Sequence, residues 1–280
     1  MIMNNENLFL IVLAFIWIIG AVLQDLRRRE VDNLWNFMLI GIAIAYRLAV
    51  SVFNGNYWFV FNGLIGLGIF LGLGNLFYYL RIFAGGDAKL LIALGTILPL
   101  SYDWIINTKF FAYFLFISFL GGSIYSLAWT FVLMFKNFRN FKKEFLKQYK
   151  KYKKMFLVSL IFAGLWMIVM LFIKELILIL ISLVILLFPV LFVFSKSIEE
   201  CAMVVSLPAS KITEGDWLYR DIVVNGKRIR ANWEGISKEE LKLIKDKYKK
   251  NILVKQGIPF TPSFLFGLIG ILLLSLMKWF

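Results

Sequence analysis

The chain has 280 residues, 61% of them hydrophobic, with 29 Phe, one Cys, no His and a formal net charge of +14. Soluble domains are roughly half apolar, so this composition reads as an integral membrane protein. The absence of His excludes a Ser-His protease, a papain-like protease and an HExxH metalloprotease, and the lone Cys201 permits neither an internal disulfide nor a cysteine-built zinc site.

A helix needs ~20 apolar residues to cross a bilayer. In chain order the apolar runs predict spans at Leu8–Gln24, Leu34–Phe53, Trp58–Phe83, Ala88–Ile106, Phe110–Phe135, Met155–Ile173, Leu176–Phe194 and Ser263–Phe280. The first run has the length of a signal peptide. However, Met1 to Asn7 carries no basic residue and no small-residue cleavage site follows, so it is read as a span. The third run bears Gly63, Gly66, Gly68, Gly72 and Gly74, in which Gly68-x-x-x-Gly72 reads as a close-packing motif. Residues 155–194 form one apolar stretch broken only by Lys174-Glu175. As one helix, at ~1.5 Å per residue, it would be about twice the bilayer thickness. A hairpin with that pair at its tip is therefore expected.

Between the seventh and eighth runs lies the most polar segment. Asp221 to Arg230 places β-branched residues around Asn225-Gly226, a strong hairpin signal. Ser237-Lys-Glu-Glu240 ahead of Leu241 and Ile244 reads as a capped helix. The module has few core residues and is expected to lean on the membrane part. The fold class is thus a polytopic α-helical membrane protein of about eight spans, six core plus an added hairpin, with a small α+β module before the last helix. The expected parts are a catalytic membrane core (1–135), a basic loop (136–154), a transmembrane hairpin (155–194), the module (195–262) and a last helix (263–280).

Basic residues set the orientation. All but four of the 31 lie in the loop Arg27–Arg29, at Arg81 and Lys89, in 136–154 and in 195–262. These regions share one side if the N-terminus is outside. Arg47, Lys109, Lys174 and Lys278 fall on or near the other side. A multi-pass protein of the cell membrane, with cytoplasmic basic loops, is expected. Those loops should lie on anionic lipid head groups, at ~1 kcal/mol per basic residue. That accounts for the charge better than nucleic acid, and no nucleic-acid partner is expected.

Two aspartates stand at span edges. Asp25 closes the first run and Asp87 opens the fourth, so both come to the same depth on the same face. A carboxylate near hydrocarbon is costly and is a functional hypothesis by default. Packed helices lie 8–10 Å apart, so the two can meet if the first and fourth spans are neighbours. Paired carboxylates share one proton: the ionised one can activate water while the protonated one polarises a carbonyl. No metal and no cofactor is required. The plain structural alternative is that both are helix-end acids. Asp87 suits it, at a helix N-terminus; Asp25 does not, at a C-terminal end. Gly85 and Gly86 could let a substrate approach Asp87 or simply form a tight turn. Lys89 could hold substrate or snorkel. Glu30 and Asp32 could bind a basic peptide or balance the neighbouring arginines.

At these residues the chain resembles the archaeal type IV prepilin and preflagellin peptidases, the class III signal peptidases of the GxGD aspartic protease group. The resemblance rests on Asp25-Leu-Arg-Arg-Arg-Glu-Val-Asp-Asn33, on Ala84-Gly-Gly-Asp87-Ala-Lys89-Leu-Leu, and on Gly215-Asp-Trp-Leu, Val224-Asn-Gly-Lys227 and Gly257-Ile-Pro-Phe260. Ala84 stands where the motif has its first Gly. The family usually has about six spans, so the Lys174 hairpin is an addition. The resemblance implies an endopeptidase that removes the basic leader of pilin-like or archaellin precursors on the cytoplasmic side, with Asp25 and Asp87 catalytic. Bacterial relatives add methyltransferase activity and a Cys-x-x-Cys zinc domain; with one Cys, no methyltransferase activity is expected here. Three other readings stand beside it: a proton- or ion-coupled transporter using the same two acids, a presenilin-type protease, and a non-catalytic anchor.

Overall fold

The computed structural model describes residues 5–173 and 176–279. It is mostly helical and divides into two compact units, Met1–Ala128 with Ile258–Phe280, and Trp129–Gly257. Among the described residues five helices are long and apolar enough to cross a membrane: Glu6–Arg28, Asn33–Asn54, Trp58–Tyr79, Trp104–Lys136 and Ile181–Met203. They mark a multi-pass helical membrane protein.

The first unit is a bundle. It contains α1 (Asn5–Arg28), α2 (Asn33–Asn54), α3 (Trp58–Tyr79), α4 (Gly85–Leu94) and the larger part of α5 (Trp104–Lys136), and it ends with α10 (Pro262–Leu276). On α1 the buried residues Leu10, Ala14, Ile18, Ala21 and Asp25 recur every three or four positions, so one stripe faces inward along the whole helix. Trp17 and Trp35 fasten α1 to α2. Each indole N–H donates to the other residue's carbonyl, at 2.7 and 3.1 Å, and the rings stack 4.6 Å apart. α2 stops at Gly55, whose left-handed φ of 66° lets the turn close back on Ser51 and Val52.

The expected span Ala88–Ile106 is not one helix. α4 ends at Leu94 after ten residues, about 15 Å and half the hydrocarbon thickness. Pro99, the residue that cannot donate, lies in the irregular stretch that follows. Non-helical backbone at membrane depth persists only where its polar groups are satisfied inside the protein. Arg47 does this. Its guanidinium donates to the carbonyls of Thr96 (2.8 Å), Ile97 (3.1 Å) and Pro99 (2.7 Å), and to that of Phe59 (2.8 Å). Arg47 is fully buried in α2 and lies 4.6 Å from the Phe59 ring centre. The charge count set it only on or near the outer side; the structure adds that it holds the non-helical segment after α4.

The glycines of α3 also divide differently from the sequence reading. A Cβ at Gly66 would stand 2.3 Å from the Gly95 carbonyl oxygen, one at Gly74 2.6 Å from Ile92, and one at Gly63 2.5 Å from Arg47. Gly68 and Gly72 have nothing within 4 Å. The pair in the Gly-x-x-x-Gly pattern is therefore not the contact. The contacting face is Gly63, Gly66 and Gly74, which lets α4 and its following turn lie against the α3 backbone.

The second unit starts with α6 (Phe138–Lys151), α7 (Lys153–Ile173) and α8 (Leu176–Ile198). α7 and α8 pack on each other; Lys174-Glu175, the expected hairpin tip, lies outside the described residues. A π-helical segment, Glu199–Met203, leads into β1 (Val204–Leu207). β1, β5 (Ile252–Lys255) and β2 (Trp217–Leu218) form an antiparallel sheet with β5 in the centre. β3 (Ile222–Val224) and β4 (Lys227–Ile229) form the hairpin, turning on Asn225 and Gly226 with φ of 49° and 78°. Ser237 and Glu240 make the reciprocal capping box of α9 (Lys238–Lys247). The module is not short of core: Ile212, Leu218, Val224, Ile229, Ile244 and Val254 are among its buried residues. Outside the membrane helices, Asp221 accepts from Ala231 N–H and the Arg228 guanidinium, which hold its carboxyl below the usual carboxylate range.

Candidate functional site

Asp25 lies on the inward stripe of α1, three residues before that helix ends, and is buried. Its Oδ2 accepts the Thr261 hydroxyl at 2.9 Å and the Thr261 N–H at 3.3 Å, and its carboxylate also hydrogen-bonds the backbone of Phe260. Thr261 is fully buried and immediately precedes α10. The carboxylate thus sits at the N-terminal, positive end of α10, which suits negative charge. At the C-terminal end of α1 alone it would be disfavoured. This explains how the chain tolerates an acid at a position where the sequence offers no reason for one.

Asp87 lies in the first turn of α4 and is buried. Its carboxylate hydrogen-bonds the backbone of Ala84, the residue at the N-cap of α4. The charges of Asp25 and Asp87 interact. The start of α4 and the end of α1 therefore converge at one end of the bundle, beside the start of α10. Tyr125 of α5 is within electrostatic reach of Asp25 and Arg29. Among the described residues, no group of three or more His, Cys, Asp or Glu could hold a metal ion.

The remaining candidates fall around this pair. Gly85 and Gly86 open α4 with ordinary φ values, so no tight turn demands glycine there. A Cβ at Gly86 would come no nearer than 3.5 Å to Val31, and one at Gly85 3.9 Å from Tyr78. Lys89 donates to Asn33 Oδ1 at 2.6 Å and ties α4 to the first turn of α2. Asp32 pairs with Arg28 at 3.8 Å, both exposed, and its N–H donates to Gln24. That pairing is the charge-balancing arrangement. Glu30 is exposed in the same loop.

Thr261 and Arg47 were not singled out from sequence. Thr261-Pro262 before an apolar run is a helix-start signal, but nothing local connects it to a residue 236 positions earlier. At the opposite end of the bundle, Glu6 accepts from Asn54 and Tyr102, and Asn7 donates to the Leu100 carbonyl. Glu6 there is hydrogen-bonded by neutral donors.

Residues 12–127 match the Type IV leader peptidase family. The chain is 28% identical over 138 residues to a preflagellin peptidase of Methanococcus maripaludis, covering 46% of this chain and 59% of that one. It is 29% identical over 140 residues to the preflagellin peptidase of Methanococcus voltae, covering 46% and 58%. It is 24% identical over 178 residues to the prepilin peptidase EppA of Methanothermobacter thermautotrophicus, covering 59% and 45%. The matches thus span about half the length of these curated relatives. No solved structure matches significantly. The matched segment runs from within α1 into α5 and contains both aspartates; over residues 12–127 the chain is similar to the Type IV leader peptidase family.

Proposed function

We propose that this chain is an aspartic endopeptidase that removes the basic leader of type IV pilin-like or archaellin precursors at the cytoplasmic face of the cell membrane. The observation that carries the reading is the convergence of two buried, interacting carboxylates, Asp25 and Asp87, inside the segment that matches the family. In this reading the dyad shares one proton. The ionised carboxylate takes a proton from water as the water oxygen bonds to the scissile carbonyl carbon. The protonated carboxylate gives its proton to the carbonyl oxygen. On collapse the C–N bond breaks, a hydroxyl of the tetrahedral species returns its proton to the second carboxylate as C=O re-forms, and the amine leaves with the proton that the first carboxylate took up. The net reaction adds one water to one peptide bond.

A second reading has an observation behind it. Asp25 caps the start of α10, so it could serve the fold alone in a non-catalytic protein. Asp→Asn variants separate the two. Asn keeps an acceptor oxygen for Thr261 but cannot carry a proton back and forth. Co-expression of a basic-leader precursor with Asp25→Asn or Asp87→Asn is expected to leave the chain folded in membranes and the precursor uncut. A leader-sized mass loss is read for the parent. The double variant is expected to be no worse than either single one, as for residues that act as a unit. Full cleavage by either single variant would sink the dyad.

A further inference from the structure

The junction of α6 and α7 carries a feature that peptide cleavage does not use. Lys150 and Lys151 end α6, Lys153 and Lys154 begin α7, and Tyr152 separates the pairs. All four lysines are exposed, and among the described residues none of them is in an ion pair. They rim a groove of about 750 Å³ that has no acid in its lining. Below the lysines its walls are apolar, from Leu157 and Leu160 of α7 and Leu186 and Pro189 of α8.

The backbone of α8 accommodates this groove. Pro189 has no N–H to give to the Ile185 carbonyl, four residues earlier. Ser159 of α7 donates its hydroxyl to that carbonyl instead. The two helices are thereby tied just where the proline ring lines the opening. α6 supplies the level. Its Phe138, Phe141, Phe145 and Tyr149 recur at helical spacing, with Lys142, Lys143, Lys147, Lys150 and Lys151 among the positions between and after them, and Phe138 and Leu146 stay exposed. Such a basic amphipathic helix lies in the interfacial plane of a bilayer.

We propose that this groove is a binding site for one anionic phospholipid, its phosphate among Lys150, Lys151, Lys153 and Lys154 and a hydrocarbon chain along Leu157, Leu160 and Pro189. A free anion would leave the apolar walls unused. A zwitterionic lipid would leave the four cations without a net countercharge. Basic pockets between membrane helices select head groups in this way. The proposal is independent of the peptidase reading.

The test is lipid retention by the full chain in detergent, read by native mass spectrometry during titration with phosphatidylglycerol or phosphatidylcholine. One phosphatidylglycerol per chain is expected to be held, with a preference of roughly tenfold over phosphatidylcholine. Changing all four lysines to Gln should abolish that preference. The same charge loss at Lys242, Lys245, Lys249 and Lys250 should leave it in place. Leu160→Trp, which fills the groove and keeps every charge, should weaken phosphatidylglycerol retention even if the four-lysine variant fails to fold. Equal retention of the two lipids by the parent, or an unchanged preference in the folded four-lysine variant, would overturn the site. Displacement by millimolar inorganic phosphate would also overturn it, by showing a plain anion site.

Discussion

Thr261 gives Asp25 two donors from one residue, its hydroxyl and its N–H, and only the first can be removed by substitution. A hydrogen bond to a charged group is worth about 1.5–3 kcal/mol. Thr261→Val is therefore expected to lower kcat for leader cleavage roughly tenfold or more, with KM for the precursor little changed. Thr261→Ser should restore it. Steady-state kinetics on a purified precursor check this, alongside thermal unfolding in detergent. If Thr261→Val loses stability but cleaves at the parent rate, the bond serves the fold and not the chemistry. At this scale part of the site was legible. The period of Leu10, Ala14, Ile18 and Ala21 carries directly to Asp25 and points it inward. The glycines before Asp87 were legible as a motif but not as a turn, because their backbone is ordinary helix. Thr261 was illegible because its partner is set by how α1 and α10 pack, and no local pattern encodes a contact across 236 residues.

Helix α4 is positioned by Arg47 beyond its C-terminus and by the glycine face of α3 along its side. Gly66→Ala would drive a methyl group against the Gly95 carbonyl, and backbone yields poorly. A loss of about 1–3 kcal/mol or more is expected. Gly68→Ala and Gly72→Ala meet nothing, and should leave stability unchanged or raise it by about 0.5–1 kcal/mol through helix propensity. Thermal unfolding of the three variants in one detergent decides between this face and the Gly-x-x-x-Gly pair. Arg47→Met would strand the non-helical carbonyls of Thr96, Ile97 and Pro99. Each buried unsatisfied group costs about 1–3 kcal/mol, so the bundle should lose at least about 3 kcal/mol. Arg47→Lys keeps the charge but not the planar fork, and should recover only part of the loss. The same unfolding measurement checks both; a tolerated Arg47→Met would show that water or neighbours satisfy those carbonyls. Sequence hydropathy could not show the break after Leu94. Residues 88–106 are apolar enough to span, and hydropathy does not register which carbonyls a distant arginine can reach.

For the whole molecule, the basic residues predict sidedness. Asn54–Asn56 follow α2 at the Glu6 end, and 142–154 fall in the lysine-rich α6 and the start of α7. Single cysteines placed at 54–56, in a chain with Cys201 replaced, should react with an impermeant maleimide in intact cells. Those at 142–154 should react only after permeabilisation. The reverse pattern would place the aspartates on the outer face and break their connection with cytoplasmic leaders. Membrane class and the small α+β module were readable from composition and turn chemistry, since burial in lipid and the Asn-Gly turn each leave a local mark. The number of spans was less so, because a half-length helix and a full one differ in tertiary support and not in hydropathy.

The hydrogen bonds to Asp25 also order events in time. Its donors belong to Thr261 and Phe260 at the head of α10, the last of the described helices in chain order. At synthesis rates of about 5–20 residues per second, these donors leave the ribosome roughly 10–50 s after Asp25 does. Until then α1 carries a carboxylate whose hydrogen-bond donors at the start of α10 do not yet exist. In the peptidase reading proposed above, a chain that has not yet made α10 is expected to leave precursors uncut, because Asp25 still lacks its α10 donors.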